Sequence, residues 1–374
     1  MLYFSTALRW HISGMLHSKT FRLLARFLAL LALAPILTGC NAVLLSPSGD
    51  IALQQRNLIY ISVALMLIVI IPVIVLTLYF AWRYRASNTK ATYAPEWNHS
   101  TLIELVIWLV PLLIIIALGA VTWVSTHKLD PYRPLERIDA QRALPANVKP
   151  LTVQVVALDW KWLFFYPEYG IATVNELAAP VDRPISFRLT SSSVMNSFFI
   201  PALAGQIYTM AGMETQLHAI INKEGVYDGF SSNYSGAGFS GMRFKFHGLN
   251  TEDFDAWVNS VKQSQTDLSR VAYLQLEAPS EREPIRHYSS VAPGLYDAIL
   301  NRCVEPNRMC MRDIMAIDAQ GGMGIPGIYN MAELDKTTRL NLGLENARQQ
   351  IYVSAFCTIT DPAFTSLKLM NASP

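Results

Sequence analysis

Hydrophobic positions fall into two regimes along the chain. The first 124 residues hold three unbroken apolar runs; from Leu151 onward the pattern breaks into short alternating segments. The first run, Phe27 to Leu37, follows Lys19, Arg22 and Arg26 and is too short to span a bilayer. A basic stretch, a short apolar core and small residues form the layout of a secretory signal. The second run, Leu58 to Trp82, and the third, Leu102 to Val124, each exceed the roughly 20 residues that a helix needs to cross the hydrocarbon core. Neither has a polar face, so buried soluble helices do not account for them. Pro72 and Pro111 lie within the runs, where a spanning helix tolerates them as kinks.

The segment 83–101 between the spans carries Arg83, Arg85 and Lys90, which places it on the cytoplasmic side. Trp82, Trp97, Trp108 and Trp123 lie at or near the span ends, as interfacial aromatics do. A secreted N-terminus gives the same orientation, so everything after Val124 is expected outside. The run before it ends in Leu37-Thr38-Gly39-Cys40, which resembles the bacterial lipoprotein box, whose cysteine is acylated and becomes the mature N-terminus. The alternative is a free cysteine that follows a signal core. Met15 is a second candidate start beside Met1.

Beyond a Pro- and charge-rich connector at 125–150, strands are expected at Leu151 to Trp160, Ile185 to Leu189, Ser197 to Ile200 and Gln206 to Met210. Gln216 to Ile221, Tyr227 to Ser231 and Met242 to Phe246 complete the set. About seven short strands with regular turn signals predict a β-sandwich or barrel. From Asn250 the period becomes helical, with Phe254, Trp257, Val258 and Val261 on one face and a cap expected at Thr251. The pattern also admits a helix in 331–347. The expected order is a signal at 1–39, an external N-terminus at 40–57, spans at 58–82 and 102–124 around the loop 83–101, and the connector 125–150. A sandwich at 151–248, an arm at 249–300 and a tail at 301–374 follow.

Composition agrees with a membrane protein that carries a soluble part. Of 374 residues, 52% are hydrophobic and 16% charged, against about 25% charged in ordinary soluble domains. Lys plus Arg is 30 and Asp plus Glu is 28, so no basic face is available for nucleic acid. Four cysteines are too few for a disulfide scaffold. No nucleophile elbow, phosphate-binding glycine loop or activated thiol is present. His99, His127, His218, His247 and His287 show no metal-ligand spacing, although His218 and His247 fall in expected strands and could meet. Cys303 and Cys310 form either a local disulfide or, with Met309 and Met311, copper ligands; Cys357 is then left over unless it pairs with one of them. Glu104 stands less than a turn into the second span. A carboxylate there is costly unless it faces water, protein or headgroups, so it is either functional or an interfacial residue reaching the headgroups.

Five runs carry a close resemblance. Asp159-Trp-Lys-Trp, Gly170-Ile-Ala-Thr-Val-Asn-Glu and Ser193-Val-Met-Asn-Ser-Phe-Phe-Ile-Pro are similar to the subunit II family of haem–copper respiratory oxidases, in its bo-type ubiquinol oxidase branch. Gln206-Ile-Tyr-Thr-Met-Ala-Gly-Met and Tyr234-Ser-Gly-Ala-Gly-Phe-Ser-Gly-Met resemble it equally. The resemblance reaches from the lipoprotein box to about residue 300. It implies a two-helix transmembrane hairpin bearing an all-β, cupredoxin-like sandwich with a C-terminal helical arm.

In the cytochrome c oxidases of this family, the sandwich holds a two-copper centre built on two thiolates, two imidazoles, a thioether and a backbone carbonyl. Soft thiolates are what such a centre requires. By the resemblance, the thiolate positions are Ser231 and Ser235, the imidazole positions Asn196 and Phe239, and the carbonyl position Asn233; only Met242 keeps its chemistry. No metal is therefore expected in this chain. Haems, the remaining copper and the ubiquinol site are expected in partner subunit I, with smaller subunits III and IV alongside, in the bacterial inner membrane. Cytochrome c is not an expected partner. The resemblance also makes Glu104 the residue that would collect cytoplasmic protons for the lysine-type channel of subunit I. The aromatic run Trp160, Trp162, Phe164, Phe165 and Tyr166 is expected to pack against subunit I, with Trp160, Trp162 and Phe164 on one face. Two alternatives remain at this point: a cytochrome c oxidase subunit II with atypical electron input, and a non-enzymatic membrane-tethered assembly lipoprotein.

Overall fold

A computed structural model describes residues 42–319, apart from 93 and 307. The signal segment, Cys40, Cys357 and the segment 331–347 lie outside the described residues.

Two long helices come first. α1 (Asp50–Arg83) has 34 residues and α2 (Thr101–Lys128) has 28, and both run through their prolines without a break. They touch one another, but their apolar side chains otherwise face outward; Trp108 is 78% exposed and Leu102 72%. Such continuous apolar surface is untenable in water. It suits lipid or another membrane chain.

The sandwich has two sheets. The six-stranded sheet has the order β12 (Arg286–Tyr288), β3 (Ile171–Val174), β2 (Lys161–Tyr166), β1 (Leu151–Leu158), β5 (Ile185–Ser191) and β8 (Thr215–Ala219). The five-stranded sheet has the order β4 (Glu176–Pro180), β10 (Arg243–Leu249), β9 (Gly225–Ser231), β6 (Asn196–Phe199) and β7 (Ile207–Thr209). β1 pairs with β5, and β4 with β10, in parallel; the other pairs in these two sheets are antiparallel.

β2, β3 and β4 are absent from the seven strands expected by pattern. Alternation marks strands with one wet face, whereas every residue of β2 is buried. Trp162, Phe164 and Tyr166 enter the core between the sheets, where Phe198 and Phe244 stack at 5.4 Å. Leu163 and Phe165 enter a second cluster with Tyr273, Tyr288, Tyr296 and Ile299, which covers the outer face of the six-stranded sheet. The aromatic run is thus consumed inside this chain and is not free to pack on a partner. Trp160 lies outside the alternation altogether, in the β1–β2 turn with φ of 68°.

The C-terminal arm is helical as expected, with short strands between its helices. α3 (Thr251–Lys262) is capped by Asn250, whose side chain accepts from the Asp253 N–H at 2.8 Å, so the cap stands one residue before the expected Thr251. It buries Phe254, Val258 and Val261. α4 (Arg270–Glu277) is capped by Ser269. β11 (Asp267–Leu268) pairs with β13 (Ser290–Val291), and β12 joins the edge of the sandwich. α5 (Leu295–Leu300) and α6 (Met311–Ala319) continue the order past residue 300. The Cys303–Cys310 disulfide closes the segment between them, which removes those thiols as copper ligands.

The segment between α2 and β1 fastens the sandwich to the helices. Arg137 grips the buried Asp50 of α1 through Nε at 2.9 Å and a terminal nitrogen at 3.1 Å. Asn222 donates from its side chain to Ile138 O at 3.0 Å and from its backbone to Ser48 O at 2.8 Å. His218 N donates to Pro131 O at 3.1 Å.

Candidate functional site

The loop from Ser231 to Met242 lies at one end of the sandwich, beside the start of β6 and the β1–β2 turn. Pairing of β6 with β9 sets Ser231 opposite Phe198. Ser231 Oγ is within hydrogen-bond distance of Asn196 Oδ1 and of Asn233 O, at 3.2 Å each. Asn196 is 1% exposed and Ser231 4%. Asn233 turns its amide to Met195 O at 3.1 Å. Ser232 Oγ donates to Gln206 Oε1 at 2.6 Å and contacts Ser197 Oγ at 2.9 Å. These hydroxyls and amides therefore satisfy one another or the backbone.

Asn196, Ser231 and Asn233 are brought together; the other three positions are employed differently. Ser235 Oγ is buried with no hydrogen-bond partner among the described residues, and Ser235 O accepts from Trp160 Nε1 at 3.0 Å. Phe239 packs edge-on against Tyr234 at 5.7 Å. Met242 is 1% exposed and belongs to the core between the sheets. Only Gly236 of the glycine-rich stretch takes a left-handed conformation, with φ of 116°. Gly238 serves a different end: a Cβ there would stand 2.5 Å from the Trp160 ring.

The donor set is hydroxyl, amide and phenyl, with one thioether turned into the core. It does not fit a two-copper centre, which needs bridging thiolates and imidazoles. Among the described residues, no group of three or more His, Cys, Asp or Glu has the geometry to hold a metal ion.

Glu104 lies in the first turn of α2, where its charge is favourable at the positive end of the helix. His99 Nδ1 is 2.6 Å from Glu104 Oε1, and both side chains are open, at 63% and 49% exposed. His99 therefore belongs with Glu104, a pairing that the sequence pattern did not show.

His218 and His247 do not meet. β8 and β10 belong to different sheets. Burial lowers the His218 pKa. His247 instead approaches Glu176 at 3.4 Å, and His287 Nε2 of β12 contacts the other carboxylate oxygen at 2.6 Å. Trp257 Nε1 of α3 donates to that same oxygen at 3.1 Å. Burial alone would raise the Glu176 pKa, but the bonds from His247, His287 and Trp257 outweigh it and pull the group down to about 2. Each partner comes from a different element, so no local motif announces this junction.

Two family models match. One described as cytochrome c oxidase subunit II, periplasmic domain, covers residues 170–248, and a COX aromatic rich motif covers 262–307. The chain is 55% identical over 273 residues to cytochrome bo(3) ubiquinol oxidase subunit 2 of Pseudomonas putida, covering 73% of this chain and 84% of that protein. It is 51% identical over 281 residues to ubiquinol oxidase subunit 2 of Acetobacter aceti, covering 75% and 89%. With quinol oxidase subunit 2 of Bacillus subtilis it shares 36% over 266 residues, covering 70% and 80%. The chain belongs to the ubiquinol oxidase subunit 2 family.

Proposed function

We propose that this chain serves as subunit II of a proton-translocating ubiquinol oxidase and holds no redox metal itself. The observation that carries the reading is the donor chemistry of the loop. Asn196, Ser231 and Asn233 hydrogen-bond among themselves where a copper-bearing relative needs soft ligands. Electrons from ubiquinol then enter partner subunit I directly, where the haems and the remaining copper reside, and oxygen is reduced there. The part left to this chain is to clamp subunit I with its apolar helices and to cover its outer face with the sandwich. Subunits III and IV complete the assembly in the bacterial inner membrane, with the sandwich in the periplasm and Cys40 as lipid anchor.

Glu104 is the proton-collecting group in this reading. In this reading its end of α2 lies on the cytoplasmic side, which Arg83, Arg85 and Lys90 support. An open carboxylate bonded to an imidazole at that boundary can take up a proton from water and pass it inward.

The test is steady-state oxygen consumption by the purified complex with ubiquinol or reduced cytochrome c as donor. Turnover on ubiquinol with none on cytochrome c is expected; turnover on cytochrome c would contradict the reading.

A further inference from the structure

Where the two helices meet the sandwich, a cleft of about 300 Å³ opens. Its walls come from the first turn of α1, the last turn of α2, segment 129–137, and Leu217 and His218 of β8. Its depth in the membrane follows from the sequence. The apolar run of α2 ends at Val124, and Lys128 stands four residues further, about 6 Å along the helix. The headgroup layer extends roughly 5–8 Å beyond each edge of the hydrocarbon core. Lys128 and the turn after it therefore sit at headgroup level. Trp123, 70% exposed, marks the boundary.

The charges in the cleft are both positive and negative, and most are already matched. Arg137 holds Asp50, and Arg133 holds Glu136 at 2.7 Å. Lys128 and Asp130, both exposed and two residues apart, make no ion pair among the described residues. Asp130 Oδ1 accepts from Tyr132 N at 2.9 Å, which fixes the carboxylate and leaves its second oxygen open. Burial disfavours the charged form of the His218 imidazole, which also lines the cleft.

We propose that this cleft binds the headgroup of a zwitterionic phospholipid, with the phosphodiester on Lys128 and the headgroup amine on Asp130. The acyl chains would lie along the outward apolar surface of α1 and α2. A purely anionic headgroup would set a negative charge against Asp130. A primary ammonium can donate hydrogen bonds to that carboxylate, which a quaternary one cannot. Ethanolamine is therefore the favoured headgroup. The assignment rests on the reading of α1 and α2 as membrane spans.

Native mass spectrometry of the purified, delipidated complex tests it. Dioleoyl-phosphatidylethanolamine, dioleoyl-phosphatidylglycerol and inorganic phosphate are added separately. Lys128→Ala is expected to weaken phosphatidylethanolamine retention about fivefold. Asp130→Asn is expected to weaken phosphatidylethanolamine but not phosphatidylglycerol. Both side chains are exposed, and an unchanged haem spectrum confirms assembly of the variants. Equal phosphatidylethanolamine retention by wild type and both variants would overturn the proposal. So would displacement of the lipid by inorganic phosphate, which would mark a free-anion site. Failure of the membrane reading is separately visible, as release of the chain by alkaline carbonate without detergent.

Discussion

Ser231 and Ser235 each differ from cysteine by one atom, and that atom decides which partners the loop can keep. An oxygen at Ser231 hydrogen-bonds to Asn196 and Asn233, and the loop holds its shape through those bonds. Trp160 supplies the rest, since its indole lies against the backbone at Gly236 and Gly238. Gly238→Ala would drive a methyl into the rigid ring; we expect a loss of about 1–3 kcal/mol, read as a lower midpoint in thermal unfolding of the purified complex. An unchanged midpoint would mean that the ring moves aside freely. At the start of α2, Glu104→Gln keeps shape and removes the ionisable group. Turnover and proton uptake by the assembled oxidase should both fall, with haem content intact; unchanged proton uptake would remove Glu104 from the pathway. Trp160, Ser235 and Gly238 were legible in the sequence because they sit in runs that resemble the family, and Glu104 because it is a carboxylate at the start of an apolar span. Glu176 was not, because His247, Trp257 and His287 reach it from β10, α3 and β12.

At the scale of elements, Glu176 ties the two sheets and the arm together. Its pKa is about 2 in the folded chain against an ordinary 4.5. A depressed carboxylate stabilises the fold fully above its unfolded pKa, and this contribution is lost as pH falls through the folded one. The difference in unfolding free energy between wild type and Glu176→Gln should therefore shrink as pH falls from about 4.5 to about 2. The full contribution is on the order of 3 kcal/mol. A difference independent of pH across that window would show that the charge is immaterial. The α1 junction is a second element-level test. Asp50 is 2% exposed and receives two bonds from Arg137, so Asp50→Ala should cost about 2 kcal/mol and loosen the connector to proteolysis. The helices were legible because length and apolarity suffice to define a span. β2 and β3 were not, because burial on both faces erases the alternation by which strands are recognised.

For the whole molecule, hairpin, sandwich and arm together make a part whose surfaces and interior have separate uses. The helices expose apolar side chains along almost their full length, which is tenable only where lipid or partner helices cover them. The sandwich spends its aromatic side chains on its own two cores and keeps a loop of hydrogen-bonded polar residues where a relative with copper would keep soft ligands. The chain belongs to the ubiquinol oxidase subunit 2 family, and in the function we propose it supports electron transfer without carrying electrons. Copper analysis of the full-length chain, separated under mild conditions from its partner subunits, is the decisive test of that proposal. No copper should remain with the chain; about two copper ions per chain would overturn the proposed function.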